Sequence, residues 1–199
     1  MKTLILGRSA AGKDYLADRL SKKFGLKGVK SKTTRPIRFL HEDTHVFVNQ
    51  ETADKEVNKV AETKINGYTY YATKEDVEKA DYYIIDPLGL YQLVENMPET
   101  RFHVVYLICP DELRCKRFME RGKTTVEEFY ERNNAEKERF DEFENILKNE
   151  RKVQLMSNVS VITVYDSSHG QEKDLFGGYR VVHDLDKIEN GIHLVNQME

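Results

Sequence analysis

The stretch Lys2-Thr3-Leu4-Ile5-Leu6-Gly7-Arg8-Ser9-Ala10-Ala11-Gly12-Lys13-Asp14 decides the fold. Residues 2–6 form a short apolar segment of strand length that runs straight into a glycine-bounded loop. Beyond the loop, Tyr15, Leu16, Leu20 and Phe24 recur at helical spacing until Gly25 ends the pattern. Gly7 and Gly12 permit backbone angles and close approaches that a side chain blocks. A G-x-x-x-x-G-K loop between a strand and a helix turns its amides and the helix N-terminus toward a phosphate, and its lysine reaches the β and γ oxygens. The expected ATP-binding set is therefore Gly7, Arg8, Ser9, Ala10, Ala11, Gly12, Lys13 and Asp14. Asp14 is a departure, because the position after the lysine ordinarily holds a Ser or Thr whose hydroxyl ligates Mg²⁺. A carboxylate also suits that hard cation, so Asp14 is the candidate metal ligand and Mg²⁺ the expected cofactor.

Working outward, residues 82–85 and 102–108 are further strand candidates, each followed by a turn or helix start at Asp86-Pro87 and Pro110-Asp111. Asp111 is the expected cap of a helix carrying Leu113, Arg117 and Phe118. Strands alternating with helices predict an α/β fold, a P-loop NTPase-type parallel sheet flanked by helices. Residues 31–75 differ, with polar turns, Val46-Phe47-Val48 and the run Gly67-Tyr68-Thr69-Tyr70-Tyr71, and predict an inserted, partly β acceptor-binding lobe. Residues 124–152 read as a long charged helix or helix pair. A strand is expected at 159–165, a polar stretch ends in Gly177-Gly178, a last strand covers 179–182 and a last helix starts from Asp184. The predicted division is one domain with a core of 1–30, 76–112 and 157–199, a lobe at 31–75, a helical lid at 113–135 and an insertion at 150–177.

Composition bounds the partners. The 199 residues are 39% hydrophobic and 33% charged, with 31 Lys+Arg against 34 Asp+Glu and a net charge of −3. That length suits one domain with a sizeable core. The charge balance argues against nucleic acid as a partner, since electrostatic binders carry a basic excess. No apolar run approaches the roughly 20 residues a membrane crossing needs. Cys109 and Cys115 make neither a disulfide framework nor a zinc site and are expected as buried reduced thiols. The first apolar segment is too short for a secretion signal, so the expected location is cytoplasmic.

Ser31-Lys32-Thr33-Thr34-Arg35-Pro36-Ile37-Arg38 adds two arginines three positions apart in a segment too polar for a core, a pattern that clamps phosphate through forked hydrogen bonds. Together with the glycine loop it resembles the S-x-T-T-R-x-x-R segment of the guanylate kinase family. The resemblance continues in order along most of the chain outside residues 150–177. His41-Glu42-Asp43-Thr44-His45-Val46-Phe47-Val48 is similar to the family's acidic, tyrosine-containing segment, with His45 in place of the tyrosine. Glu62 matches the base-reading glutamate. Tyr70-Tyr71-Ala72-Thr73 looks like Y-Y-G-[ST], and Ile85-Asp86-Pro87-Leu88-Gly89 like I-D-x-x-G. Residues 113–122 resemble L-x-x-R-L-x-x-R-G at the start of the lid, and Arg132 falls where a further lid arginine is expected. Tyr179-Arg180-Val181-Val182-His183-Asp184 resembles the closing strand, with His183 in place of asparagine on the adenine side.

The resemblance implies transfer of the ATP γ-phosphoryl group to a nucleoside monophosphate, GMP or dGMP. It implies that Arg35, Arg38, His45 and Tyr71 hold the acceptor phosphate, and that Ser31, Glu62, Thr73 and Asp86 face the guanine. It further implies that Lys13, Arg117, Arg121 and Arg132 are catalytic. A carboxylate suits guanine, whose N1–H and 2-amino group are adjacent donors. Two alternatives stand beside it. The G-K-D loop is similar to those of some phage deoxynucleotide kinases and of animal phosphomevalonate kinases, so the acceptor could be another deoxynucleotide or a small phosphorylated metabolite. Some guanylate kinase-like modules bind phosphopeptides without catalysis, but those usually lose the phosphate loop that Gly7, Gly12 and Lys13 retain here.

Overall fold

A computed structural model describes residues 1–38, 40–65, 67–122, 124–149, 156–168, 175–176 and 178–198. The main sheet has six strands in the order β6-β1-β7-β8-β10-β9. These are β1 (Lys2–Gly7), β6 (Tyr82–Ile84), β7 (Phe102–Ile108), β8 (Val159–Asp166), β10 (Tyr179–Val182) and β9 (Leu175–Phe176). The first five are parallel, and β9 pairs antiparallel at the edge. The expected α/β architecture is the one observed.

The near-continuous apolar strands follow from burial on both faces. Leu4, Leu6, Val104 and Tyr106 point to one face, where they meet Leu90 and Leu93 of α4 (Pro87–Asn96) and Phe140, Phe143 and Leu147 of α6 (Val126–Leu147). Ile5, Val105 and Leu107 point to the other, against Leu16, Ala17 and Leu20 of α1 (Lys13–Phe24) and Ile188 and Ile192 of α7 (Leu185–Asn196). The chain leaves β1 for β6 on one side and then crosses to β7 on the other. That reversal opens a crevice at the carboxyl ends of β1 and β7, where doubly wound sheets bind ligands. The glycine loop lies there.

A second, mixed sheet of order β3-β2-β5-β4 is built from β2 (Lys32–Thr33), β3 (Val46–Phe47), β4 (Lys59–Ile65) and β5 (Tyr68–Thr73). Two short helices accompany it, α2 (Gln50–Lys55), capped by Asn49, and α3 (Lys74–Glu78), capped by Thr73 in a reciprocal box with Asp76.

Several local expectations are revised. Asp111 does not cap α5 (Asp111–Glu120); Pro110 holds the cap position, and Asp111 is the first helical residue. Its carboxylate is drawn instead to the fully buried Arg114, 2.6 Å away. Residues 126–147 are one helix, started by a Thr125–Glu128 capping box. The strand expected at 159–165 is present as Val159–Asp166, an interior strand between β7 and β10. Residues 150–155, 169–174 and 177 of the stretch expected as an insertion lie outside the described residues. Cys109 and Cys115 are free thiols, half-buried rather than fully buried. Among the described residues no helix is long and apolar enough to cross a membrane.

Candidate active site

Close packing of β1 on β7 dictates the start of the loop. A Cβ added to Gly7 would lie 2.9 Å from the Leu107 carbonyl oxygen, so only glycine fits. Gly12, at φ 101°, turns the chain into α1 through a left-handed conformation that favours glycine. Ala10 also has a positive φ, of 60°, and its methyl packs with Phe118 and Phe129. Lys13 folds back over the loop, its Nζ donating to the carbonyls of Gly7 at 2.6 Å and Arg8 at 3.1 Å. Burial of this ammonium pushes its pKa down to about 8, against the opposing pull of Asp14 and Glu136. Arg8 turns out of the loop toward α6, where it pairs with Asp141 and Glu144. Ala11 is buried, and its carbonyl accepts from the Ser167 hydroxyl at 2.5 Å.

The arginines expected in the lid separate into two groups. Arg132 Nε donates to Ser9 Oγ at 2.7 Å, and Arg121 Nη2 lies 3.6 Å from the exposed Asp14 carboxylate. Both face the loop opening. Arg117 lies behind the loop, donating to the Ser167 hydroxyl at 3.2 Å, the Ser167 carbonyl at 2.7 Å and Cys109 Sγ at 3.4 Å. Its place is a brace between α5, β7 and the end of β8. His183, expected on the adenine side, has Nδ1 3.4 Å from Asp166 Oδ2 at that same strand end.

Across the crevice the second sheet presents its own polar groups. Arg35 is 6% exposed and is held by Glu42, with Nη2 2.6 Å from Oε1 and Nη1 3.2 Å from Oε2. That guanidinium and the Arg38 amide hold the Glu42 carboxyl down at about 2. The Arg38 side chain is exposed to the cleft. His45 packs edge-on against Tyr70, and burial, with Arg35 nearby, lowers its pKa. Alternation along β5 sends Tyr68 and Tyr70 into the cleft and Thr69, Tyr71 and Thr73 to the other face. Tyr71, 1% exposed, sits between the ammonium groups of Lys59 and Lys32, 4.9 and 5.8 Å from its ring centre. Thr73 is committed to capping α3. Glu62 lines the cleft with Oε2 2.5 Å from Lys59 Nζ. Asp86 caps α4 through Oδ1 and meets Arg139 Nη1 through Oδ2 at 2.9 Å.

One cavity of about 550 Å³ unites these groups. From the expected set it collects Gly7, Ser9, Ala10, Gly12, Lys13, Asp14, Arg121 and Arg132 on one side, and Ser31, Arg35, Arg38, His45, Glu62 and Asp86 on the other. Arg8, Ala11, Tyr71, Thr73 and Arg117 do not line it. Tyr70, Glu136 and Arg139 line it without having been singled out by sequence. The i, i+4, i+7 spacing of Arg132, Glu136 and Arg139 would have placed all three on one face of α6.

A family model described as an AAA domain matches residues 4–141. No curated protein matches the sequence. Among solved structures, guanylate kinase from Anaplasma phagocytophilum is similar with a TM-score of 0.53 and 17% identity, over 100% of this chain and 87% of that one. That likeness is one of fold. An uncharacterized protein from Eubacterium ventriosum aligns with a TM-score of 0.40 and 12% identity, over 100% of this chain and 99% of the other.

Proposed function

Since this chain belongs to the AAA domain family, a family of P-loop proteins, we propose that it is a nucleoside monophosphate kinase that transfers the ATP γ-phosphoryl group to GMP or dGMP. The observation that carries the proposal is the single cleft. Lys13 and Asp14 line its donor side, Arg38, Glu62 and Asp86 its acceptor side, and Arg121 and Arg132 the loop opening. The solved guanylate kinase of similar fold adds support at the level of architecture.

Phosphoryl transfer asks a protein mainly for positioning and charge neutralisation. Here the loop amides and Lys13 hold the donor phosphates, and Arg121 and Arg132 neutralise charge on the transferring group. Arg38 meets the acceptor phosphate, joined by Arg35 once Glu42 yields it. We read residues 31–75 as the acceptor lobe and 113–135 as the lid. Closure around both substrates excludes the water that would otherwise hydrolyse ATP.

The donor set suits Mg²⁺. Among the described residues no group of three or more His, Cys, Asp or Glu could hold a metal. The exposed Asp14 carboxylate beside Lys13 is, however, a hard oxygen open to the cleft, and Mg²⁺ typically binds through one or two carboxylates plus substrate phosphates. Asp14 would hold the cation beside Lys13, and the cation would supply positive charge to offset that of the donor phosphates.

A second acceptor class is favoured by a specific observation. Both base-reading carboxylates already carry an internal cation, Glu62 through Lys59 and Asp86 through Arg139. An acceptor other than a guanine nucleotide, either another deoxynucleotide or a small phosphorylated metabolite, would leave those pairs intact. A coupled assay of ADP formation from ATP and Mg²⁺ across ribo- and deoxynucleoside monophosphates and small phosphorylated metabolites decides between the classes. ADP formation stimulated by GMP or dGMP supports the first. A panel in which no acceptor stimulates it counts against kinase activity.

A further inference from the structure

Glu136 occupies the donors of the phosphate loop. Its Oε1 accepts from the Ser9 backbone amide at 2.8 Å, and its Oε2 accepts from the Ser9 hydroxyl at 2.9 Å. The fully buried Arg114 stands behind, with Nη1 3.5 Å from Oε1 and donating to the Ser9 carbonyl at 3.1 Å. Arg132 donates to the Ser9 hydroxyl from the open side. A loop amide, a hydroxyl and two guanidinium groups are the donors an anion seeks, and phosphate-loop amides are aimed at one. An internal carboxylate lies there instead.

The place within the loop indicates which phosphate it mimics. Lys13 and Asp14 begin α1, at the helix end of the loop, whereas Ser9 follows Gly7 at the strand end and meets Arg132. On the kinase assignment above, Arg132 attends the transferring group, so Ser9 belongs to the outermost phosphoryl of the donor and the helix end to the inner ones.

We infer that Glu136 is a tethered competitor for the terminal phosphoryl group and sets how the loop discriminates a nucleoside triphosphate from a diphosphate. A triphosphate must displace the carboxylate from Ser9, because two anions cannot share those donors. A diphosphate seated at the helix end leaves Glu136 where it is. The inference rests on the assignment of the cleft as a nucleotide donor site.

The test is calorimetric titration of ADP and of a non-hydrolysable ATP analogue, with Mg²⁺, into the wild-type chain, Glu136→Gln and Glu138→Gln. Glu138 is exposed on the solvent side of the same helix and controls for charge alone. Glu136→Gln is expected to bind the triphosphate analogue roughly tenfold more tightly or better, the scale of a close charge pair near a protein surface. Its ADP affinity should change little, and Glu138→Gln should match the wild type for both. Glu136→Ala, which removes the hydrogen bonds as well, should show the same selectivity and serves if the glutamine variant folds poorly. Triphosphate affinity unchanged or weakened, or an equal gain for ADP, overturns the inference while leaving the donor site intact. A wild-type chain that binds neither nucleotide overturns the donor-site assignment and the inference with it.

Discussion

Arg35 and Glu42 form a two-pronged ion pair at the edge of the second sheet, with both side chains almost fully enclosed at 6% and 4% exposure. The pair withdraws one of the two arginines expected to hold a monophosphate and stores it against an internal carboxylate. Glu42 ionises more readily in the folded chain, near 2, than the ordinary glutamate value of 4.5. The unfolded chain therefore takes up this proton first as pH falls. The stabilisation is full above about pH 4.5 and is lost toward pH 2. At neutral pH, Glu42→Gln should melt several degrees below the wild type, because the enclosed guanidinium loses its charged partner. The gap should narrow as the pH is lowered through that window. Melting curves that stay parallel from pH 7 to pH 2.5 would contradict this account of the pair.

Tyr70 and Tyr71 are neighbours with opposite fates. The Tyr70 ring faces the cleft beside His45, whereas the Tyr71 ring lies between two lysines and its buried hydroxyl has no hydrogen-bond partner among the described residues. Tyr70→Phe should raise the KM for the monophosphate and leave the KM for ATP unchanged. Tyr71→Phe should leave both unchanged and cost no stability, since it removes an unsatisfied hydroxyl. Steady-state kinetics of the two variants would reverse this expectation if Tyr71 were the phosphate ligand.

Lys13 predicts a pH dependence for nucleotide binding. Its ammonium is held down to about 8 by burial before a ligand arrives, and a bound phosphate favours the charged form. ATP affinity should therefore be flat below that pH with respect to this group and fall above it, approaching about tenfold per unit. Lys13→Met should bind ATP weakly and lose that slope. Binding isotherms between pH 6.5 and 9.5 check both, and a slope retained in the variant would assign it to another group.

Arg132 and Arg117 should separate in kinetics and in stability. Arg132 is exposed, with its guanidinium at the loop opening, so Arg132→Ala should lower kcat by about two to three orders of magnitude with little change in melting temperature. Arg117 ties the Ser167 backbone to Cys109, so Arg117→Ala should lower the melting temperature and raise the KM for ATP as the loop loses its backing. Loss of kcat in Arg117→Ala at unchanged stability would return this residue to the catalytic set.

The parts of this molecule that are legible in sequence are the local ones. The loop from Gly7 to Lys13, its flanking strand and helix, and the strands at 102–108 and 179–182 follow from patterns confined to a few residues. Which face of β5 meets the cleft is different, because it depends on register against β4 and β2, set by contacts many residues away. Glu136 on a highly charged helix has the same sequence signature as a solvated glutamate, and only the approach of α6 to Ser9 distinguishes it. Glu42 was visible only as part of an acidic segment, since nothing local says that Arg35 will fold onto it. The strand at 159–165 is legible from its apolar alternation, but its place between β7 and β10 rests on pairing with residues distant in the chain.

The most direct test of the central claim is ³¹P NMR of the chain with ATP, Mg²⁺ and each nucleoside monophosphate in turn. The account predicts that one monophosphate signal is replaced by a nucleoside diphosphate as ATP converts to ADP, and that Lys13→Met abolishes the conversion. A full panel in which every monophosphate signal persists, or in which ATP yields only ADP and inorganic phosphate, would contradict it.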